Sequence, residues 1–307
     1  MIPKTAHFVW LGRETPWTHL LAVASAAQRG GFERVLFHHT DELAGAPVFD
    51  RLAGLERVEA RRLEPLPLLE RAGGAALVDC YRDLSQPAAK SNVLRVCLMA
   101  EQGGVYLDTD TLTLASLAPL CERGGAFCGE ERLIFPVQAA RGITSRLRPS
   151  ALARMAVRDL FRRLPEGYRG FRRVEQHYPS APNNAVLGAE RAHPFLAELL
   201  ARMSALPKAE RRVRYALGTH LLQAAVREWS RPGLTVLPPA AFFPLGPEIS
   251  EHYFRIRPSL SLEDAIGPDT LVAHWYASVR TERHVAFGAH GSVPVRDERV
   301  GTDRVLE

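Results

Sequence analysis

Apolar residues along this chain fall into runs and periodic stretches that set an order of elements. Thr5-Ala6-His7-Phe8-Val9-Trp10-Leu11 is apolar and β-prone and stops at Gly12, as a buried first strand would. Trp17, Leu20, Leu21, Ala24 and Ala27 then recur at helical spacing as far as Gln28, and Gly30-Gly31 closes the stretch. Val35-Leu36-Phe37-His38 reads as a second strand and Arg57 to Leu63 as a third. A strand-helix-strand opening of this kind predicts a parallel sheet of Rossmann type. The rest of Asp41 to Leu84 shows no clear period.

The sharpest unit runs from Ser85 to Leu114. Ser85 is placed to cap a helix with Pro87 in its first turn, and Val93, Leu94, Cys97 and Leu98 share its core face. Gly103-Gly104 ends that helix, and Val105-Tyr106-Leu107 follows as a short strand that stops at Asp108-Thr109-Asp110. From Arg123 to Tyr178 the chain is rich in arginine, glycine and proline, which predicts an irregular insertion with a helix at Ala151–Leu164. Asn184–Ala189 reads as a strand, and His193–Met203 and Thr219–Trp229 as helices. Val236–Pro239 and Leu271–Trp275 read as late strands, and beyond about Ala286 the pattern fades into a polar tail. No internal repeat or low-complexity linker divides the chain.

Composition narrows the class. At 307 residues and 46% hydrophobic, the chain is neither a disulfide-dependent miniature nor a disordered polymer. Its formal charge of +5 invites a nucleic-acid reading, but lysine occurs only at Lys4, Lys90 and Lys208 and the arginines are scattered. Arg211, Arg212 and Arg214 stand as candidate anion contacts; no nucleic-acid partner is expected. Cys80, Cys97, Cys121 and Cys128 have no metal-ligand spacing, and Cys97 reads as core. The opening Met1-Ile2-Pro3-Lys4-Thr5 has no hydrophobic h-region, and no apolar run is long enough to span a bilayer. The expectation is a reduced, cytoplasmic protein for which peripheral attachment to a membrane stays open.

Candidate chemistry gathers after the short strand. On an extended segment Asp108 and Asp110 would point to one face, at the strand end where open α/β sheets bind ligands. Adjacent carboxylates raise each other's proton affinity unless a cation sits between them, and a divalent ion on a substrate diphosphate is the simplest such partner. Ser91 and Arg95, at i and i+4, share a face of the preceding helix, with Asn92 beside them. Arg95 would there neutralise a phosphate or lock an aspartate. The plain alternatives are a solvated turn that happens to hold two acids and a solvent-facing polar stripe.

Ala89-Lys90-Ser91-Asn92-x-x-Arg95 followed by Gly103-Gly104-Val105-Tyr106-Leu107-Asp108-Thr109-Asp110 resembles the sugar-binding segment of family 32 glycosyltransferases. The α-1,4-galactosyltransferases, yeast α-1,6-mannosyltransferases and clostridial glucosylating toxins are relatives of that group. Ile2-Pro3-Lys4-x-x-His7-Phe8-Val9-Trp10-Leu11-Gly12 is similar to the family's first strand. Asn183-Asn184-Ala185-Val186-Leu187-Gly188-Ala189, His193-Pro194-Phe195, Thr235-Val236-Leu237-Pro238-Pro239, Phe242-Phe243-Pro244 and His274-Trp275 with Ser278 resemble its galactosyltransferase branch. The likeness skips about Leu120 to Pro182, and Asn92 stands where the family usually has aspartate, which bears on donor preference.

The resemblance implies an α/β protein of GT-A fold, a Rossmann-like, mostly parallel sheet flanked by helices with a variable helical and loop insertion. It implies one domain over 1–307: a nucleotide-sugar half to about 118, an acceptor side to about 285, and the tail from about 286. The activity implied is retaining hexosyl transfer from a nucleotide-sugar, a UDP-sugar favoured, with Mn²⁺ or Mg²⁺. Val9, Trp10 and Leu11 would line the base pocket, and Ser91, Asn92 and Arg95 the ribose and donor sugar. Asp108 would hold sugar hydroxyls and help at the metal, Asp110 would ligate it, and His274 or Ser278 would complete the metal or diphosphate site. Asn183 or Asn184 would face sugar or acceptor, so that Asp108, Asp110, Arg95 and Asn184 form the catalytic set. The acceptor would be a glycan, a lipid-linked glycan or a small molecule, met by the arginine-rich middle. Each residue has a structural alternative: Trp10 as core, His274 as a strand-end histidine, Asn183-Asn184 as a turn. Two rival readings remain, a haloacid-dehalogenase-like phosphotransferase with Asp108 as nucleophile, and an inactive glycan- or protein-binding module.

Overall fold

The computed structural model describes residues 1–43, 47–133, 148–213, 215–246 and 262–277. The opening is laid down as the hydrophobic pattern requires: β1 (Thr5–Trp10), α1 (Trp17–Arg29), β2 (Arg34–His39), α2 (Pro47–Ala53) and β3 (Val58–Arg62). β1, β2 and β3 pair in parallel, with Ala6 opposite Val35 and Val35 opposite Val58. Two helices follow, α3 (Pro65–Arg82) and α4 (Pro87–Gln102), then β4 (Gly104–Leu107) and β5 (Thr111–Thr113). α4 buries Val93, Leu94, Cys97 and Leu98 as expected, but its N-cap is Gln86, not Ser85, and no side chain caps it. Trp17, expected on the core face of α1, is its first residue and is 47% exposed.

The described part of the stretch expected to be an irregular insertion holds the expected helix and further regular pieces beside it. α5 (Ala118–Arg123) leads to β6 (Ala126–Arg132), and α6 (Arg148–Arg163), α7 (Gly167–Val174) and a 3₁₀ turn (Glu175–His177) lead to the long β7 (Ser180–Ala189). α8 (Pro194–Ala205), α9 (Lys208–Arg211), a π-turn (Ala216–His220), α10 (Leu221–Glu228), β8 (Leu234–Leu237), α11 (Pro239–Phe242), a 3₁₀ turn (Leu262–Asp264) and β9 (Val272–His274) complete the described chain. The seven-stranded sheet has the order β3-β2-β1-β4-β7-β6-β8, and β5 and β9 make a separate ribbon. β7 pairs antiparallel with both β4 and β6, and the other pairs in the sheet are parallel. β7 thereby lays its first residues beyond the C-terminal end of β4, beside the aspartates.

Helices cover both faces of the sheet over separate apolar cores. One core joins Phe8, Val23, Phe37 and Val105 to Tyr168 and Phe242, and the other joins Leu69, Leu94, Tyr106, Leu187 and Phe195. All four cysteines are buried and free. One glycine is required by contact: a Cβ on Gly104, at φ +104°, would lie 2.5 Å from the Thr5 carbonyl oxygen and 3.0 Å from His7 Nε2. His7 Nε2 in turn donates to the Gly103 carbonyl at 3.0 Å, which leaves Nδ1 to accept from His38 Nε2 at 3.1 Å. Burial pushes the His7 imidazole down to about 4 and His38 to about 3, so both are neutral in the folded protein.

Candidate active site

β4 delivers the aspartates to the edge of the sheet. The Asp108 N–H still donates to the Ala185 carbonyl of β7 at 2.8 Å, and the chain then turns. The Thr111 N–H and Oγ1 both donate to the Asp108 carbonyl, at 3.2 and 2.7 Å, and close that turn. The aspartates therefore sit on a tight turn rather than on the extended segment expected. They converge all the same, because β5 pairs with β9 in a register that sets Thr111 opposite His274. One oxygen of Asp108, one of Asp110 and one ring nitrogen of His274 lie within 4.8 Å of one another.

Each member is held by its own partners. The Arg95 Nη2 lies 2.9 Å from Asp108 Oδ1, and Tyr106 Oη donates to the same oxygen at 2.8 Å. Since Tyr106 gives its proton to Asp108, Ser91 Oγ, 3.4 Å away, is the donor to Tyr106. Arg95, only 4% exposed, also donates through Nη1 to the Asn184 carbonyl at 2.5 Å and stacks on the Tyr106 ring at 4.3 Å. Of its two expected roles the geometry gives Arg95 the second: it locks the aspartate. Asp110 Oδ1 lies 3.1 Å from His274 Nε2, its Oδ2 accepts from the Ala277 N–H at 2.8 Å, and its carbonyl accepts from the Trp275 N–H at 2.9 Å.

These contacts split the two carboxyls electrostatically. Burial pushes Asp108 up, which Arg95 opposes and neighbouring Asp110 reinforces. Burial would also raise Asp110, but the charge and hydrogen bond of His274, with the Ala277 N–H, hold it down to about 2. Burial works against the charge on His274, yet Asp110 outweighs it and the imidazole is raised above its ordinary value. His274 Nδ1 is buried and has no hydrogen-bond partner among the described residues. Two hard carboxylates and an imidazole with an orphaned nitrogen are a donor set that suits a divalent cation.

The other expected residues surround this centre at different depths. Val9 is buried under the sheet end, Leu11 is half-buried, and Trp10 is half-buried with its ring 4.6 Å from that of His19. Trp10 Nε1 donates to the Glu14 carbonyl at 3.1 Å, which fixes the indole at the mouth. Asn184 Nδ2 donates to Asn92 Oδ1 at 2.9 Å, making an amide pair across α4 and β7. Asn183 is buried and its Oδ1 accepts from the Ala185 N–H at 2.7 Å, which shapes the strand and turns the side chain inward. Ser278 and the polar tail lie outside the described residues. Arg211, read as an anion contact, is instead a buried strut that donates to the Leu206 carbonyl and pairs with Asp83 at 2.7 Å; Arg214 lies outside the described residues.

Three site residues escaped sequence reading. His19 Nδ1 lies 2.9 Å from Thr109 Oγ1 and 3.0 Å from the Thr109 carbonyl, so α1 braces the aspartate turn. Its signal was a polar residue beside Leu20 on a helix face of apolar neighbours. Tyr106 was legible as the residue two before Asp108, on the same side of the strand. Gly218, in the π-turn, leaves room for Asn92, whose Nδ2 would lie 2.7 Å from a Cβ there; nothing in the sequence marks that approach. A separate cavity of about 640 Å³, lined by Arg71, Glu101 and Arg191, opens at the C-terminal end of α4, the end of the helix far from Asn92.

Comparison with known proteins agrees with this geometry. Residues 64–125 match the family model described as a glycosyltransferase sugar-binding region containing a DXD motif. No curated protein sequence matches the chain. Among solved structures, the apo form of mouse xyloside xylosyltransferase 1 superposes with a TM-score of 0.51 at 13% identity, over 88% of this chain and 96% of that one. The PaToxG glycosyltransferase gives 0.48 at 13% identity, over 74% and 69%. Galactosyltransferase LgtC, in complex with donor and acceptor sugar analogues, gives 0.43 at 12% identity, over 95% and 98%. Residues 64–125, with Arg95, Asp108 and Asp110 among them, are thus a DXD-type glycosyltransferase sugar-binding region, set in a chain of GT-A fold.

Proposed function

We propose that this protein is a retaining, metal-dependent glycosyltransferase that moves a hexose from a nucleotide-sugar to an acceptor hydroxyl. The observation that carries the reading is the convergence of Asp108, Asp110 and His274 inside the segment that matches the sugar-binding model. A divalent cation bound there, Mn²⁺ favoured over Mg²⁺ because imidazole is among the donors, would supply Lewis-acid stabilisation to a diphosphate leaving group. The galactosyltransferase-like segments favour a UDP-sugar as donor.

The chain's own residues have distinct tasks in this reading. Arg95 and Tyr106 fix Asp108 through one oxygen and leave the other to face sugar or ribose hydroxyls. His274 and the Ala277 N–H aim Asp110. Trp10 offers a ring edge to the base, with Val9 and Leu11 behind it. Asn184, tied to Asn92, and the π-turn that packs on Asn92 face the donor sugar and acceptor. Retention follows in this account from attack on the face that the diphosphate leaves, with a leaving-group oxygen taking the acceptor's proton. Residues to about 118 hold the donor, those from about 119 to 285 the acceptor, and the unit is one domain. The acceptor class is a glycan, a lipid-linked glycan or a small molecule. The four free thiols support a reducing, cytoplasmic setting, and no described helix is long and apolar enough to cross a membrane.

The phosphotransferase alternative is not favoured. Asp108 Oδ1 is occupied by Arg95 and Tyr106, and Lys208, the lone downstream lysine, sits 3.6 Å from Asp83 rather than near Asp108. A thermal-shift panel of nucleotide-sugars with and without Mn²⁺ tests the proposal: one donor raises the midpoint only with metal, and the released sugar keeps the donor's anomeric configuration by ¹H NMR. Failure of every nucleotide-sugar to bind favours the inactive-module reading.

A further inference from the structure

The charge excess of this protein is localised, although its arginines are scattered. Between Arg148 and Tyr178 stand eight arginines and three acids, an excess that accounts for the whole of the chain's formal +5. The same stretch contains α6, which carries apolar residues on its inner and its outer side, with Arg158 buried as well and paired with Asp159 at 2.8 Å. Its inner side packs: Ala151 is fully buried, Met155 lies on the core, and Phe161 meets Phe171 of α7 edge-on at 6.2 Å. Its outer side carries Leu152, Ala153, Ala156, Val157 and Leu160, with Leu164 just past the end, at the i, i+4 and i+3 spacings of one face. Leu152 is 49%, Val157 40%, Leu160 59% and Leu164 44% exposed.

A stripe of exposed leucine and valine along a whole helix is unusual on a free soluble surface and marks a contact. Its margins identify the contact. Arg163 on α6 and Arg169 and Arg173 on the following α7 are exposed, Arg169 lying 3.8 Å from Glu166. Aliphatic side chains backed by arginines suit the boundary of a bilayer, where the leucines reach acyl chains and the guanidinium groups meet lipid phosphates. A nucleic acid would use the arginines and leave the leucines in water. The position is coherent with transfer chemistry, since α7 leads through the 3₁₀ turn into the start of β7, the end of that strand beside the aspartates.

We propose that the outer face of α6, with the arginines of α6 and α7, docks this protein on an anionic phospholipid surface. The face is then peripheral and reversible, and the site opens at the membrane margin, where lipid-linked acceptors lie. The docking itself does not depend on the transferase reading.

The test is cosedimentation of the full chain with phosphatidylcholine vesicles and with vesicles that also contain phosphatidylglycerol, without donor or acceptor. Binding is expected only to the anionic vesicles, and it weakens as salt rises. Leu152→Glu/Leu160→Glu is expected to lose at least about tenfold in binding with the thermal midpoint unchanged, because these leucines are exposed among the described residues. Arg163→Gln/Arg173→Gln loses roughly fivefold per arginine. Binding that is equal on neutral vesicles, or unaffected by the leucine changes, overturns the proposal. So does a fall in midpoint for the leucine variant, which would mean that the chain itself covers the face. A wild-type dimer in light scattering that the leucine variant abolishes would assign the face to a second copy instead.

Discussion

Replacing Arg95 by methionine keeps much of the side chain's length and removes its charge and every donor. The guanidinium it removes is 4% exposed and makes an ion pair with Asp108 at 2.9 Å, a hydrogen bond to the Asn184 carbonyl at 2.5 Å and a stack on Tyr106 at 4.3 Å. Breaking a buried pair from one side costs about 3–5 kcal/mol, because the partner is left uncompensated. The Asp108 side chain is 25% exposed, so water and protonation relieve part of that, and about 2–4 kcal/mol is the expected loss. At about 2 °C per kcal/mol for a chain of this size, the midpoint falls by roughly 4–8 °C in a thermal melt. The assay that isolates the pair is a double-mutant cycle with Asp108→Asn. In that background the carboxylate is already gone, and Arg95→Met is expected to cost about 1–2 kcal/mol less than in the native protein. Transfer falls by at least about a hundredfold in the folded single variant, since Asp108 is no longer held. Equal costs in the two backgrounds, within about 0.5 kcal/mol, would refute the claim that Arg95 exists to hold Asp108.

Other outcomes follow from the same geometry. The folded His7 and His38 are held to about 4 and about 3, below the unfolded value near 6.5, so the unfolded state takes up protons first as pH falls. Stability is therefore full above about pH 6.5 and declines between there and about pH 3, measured as a falling urea midpoint, and His38→Gln flattens that slope. Gly104→Ala places a Cβ 2.5 Å from the Thr5 carbonyl oxygen at φ +104°, and is expected to cost more than about 2 kcal/mol or to prevent soluble expression. Asn92→Asp retains an acceptor for Asn184 Nδ2, so the fold holds within about 1 kcal/mol while donor affinity shifts, read by calorimetric titration of nucleotide-sugars.

What was legible in the sequence was what local periodicity and glycine encode. β1, α1, β2, α4 and β4 follow from apolar runs punctuated by Gly12, Gly30-Gly31 and Gly103-Gly104, and they bring Asp108 and Asp110 to the sheet edge. α3 was hidden because its sequence opens on Pro65 and Pro67 and breaks at Gly74, which has φ 64°. β6 was hidden because its second half, Glu130-Glu131-Arg132, is charged and half-buried, and only its pairing with β7 makes it a strand. The turn at Asp108 looked extended because nothing local announces that Thr111 closes it. His274 was a late histidine of ordinary context until the pairing of β5 with β9 set it opposite Thr111. His19 showed only as a polar residue on an apolar helix face, and its partner Thr109, 90 positions away, had no local signature.

The decisive measurement is calorimetric titration of Mn²⁺ with UDP into the native protein and into Asp110→Ala and His274→Ala, with Arg163→Gln as a control outside the site. The account predicts that the native protein and the control bind the metal and nucleotide together. It predicts that each site variant, still folded by circular dichroism, loses at least about a hundredfold in that joint affinity. Undiminished joint binding by folded Asp110→Ala would show that the aspartate–histidine cluster is not where the donor is held.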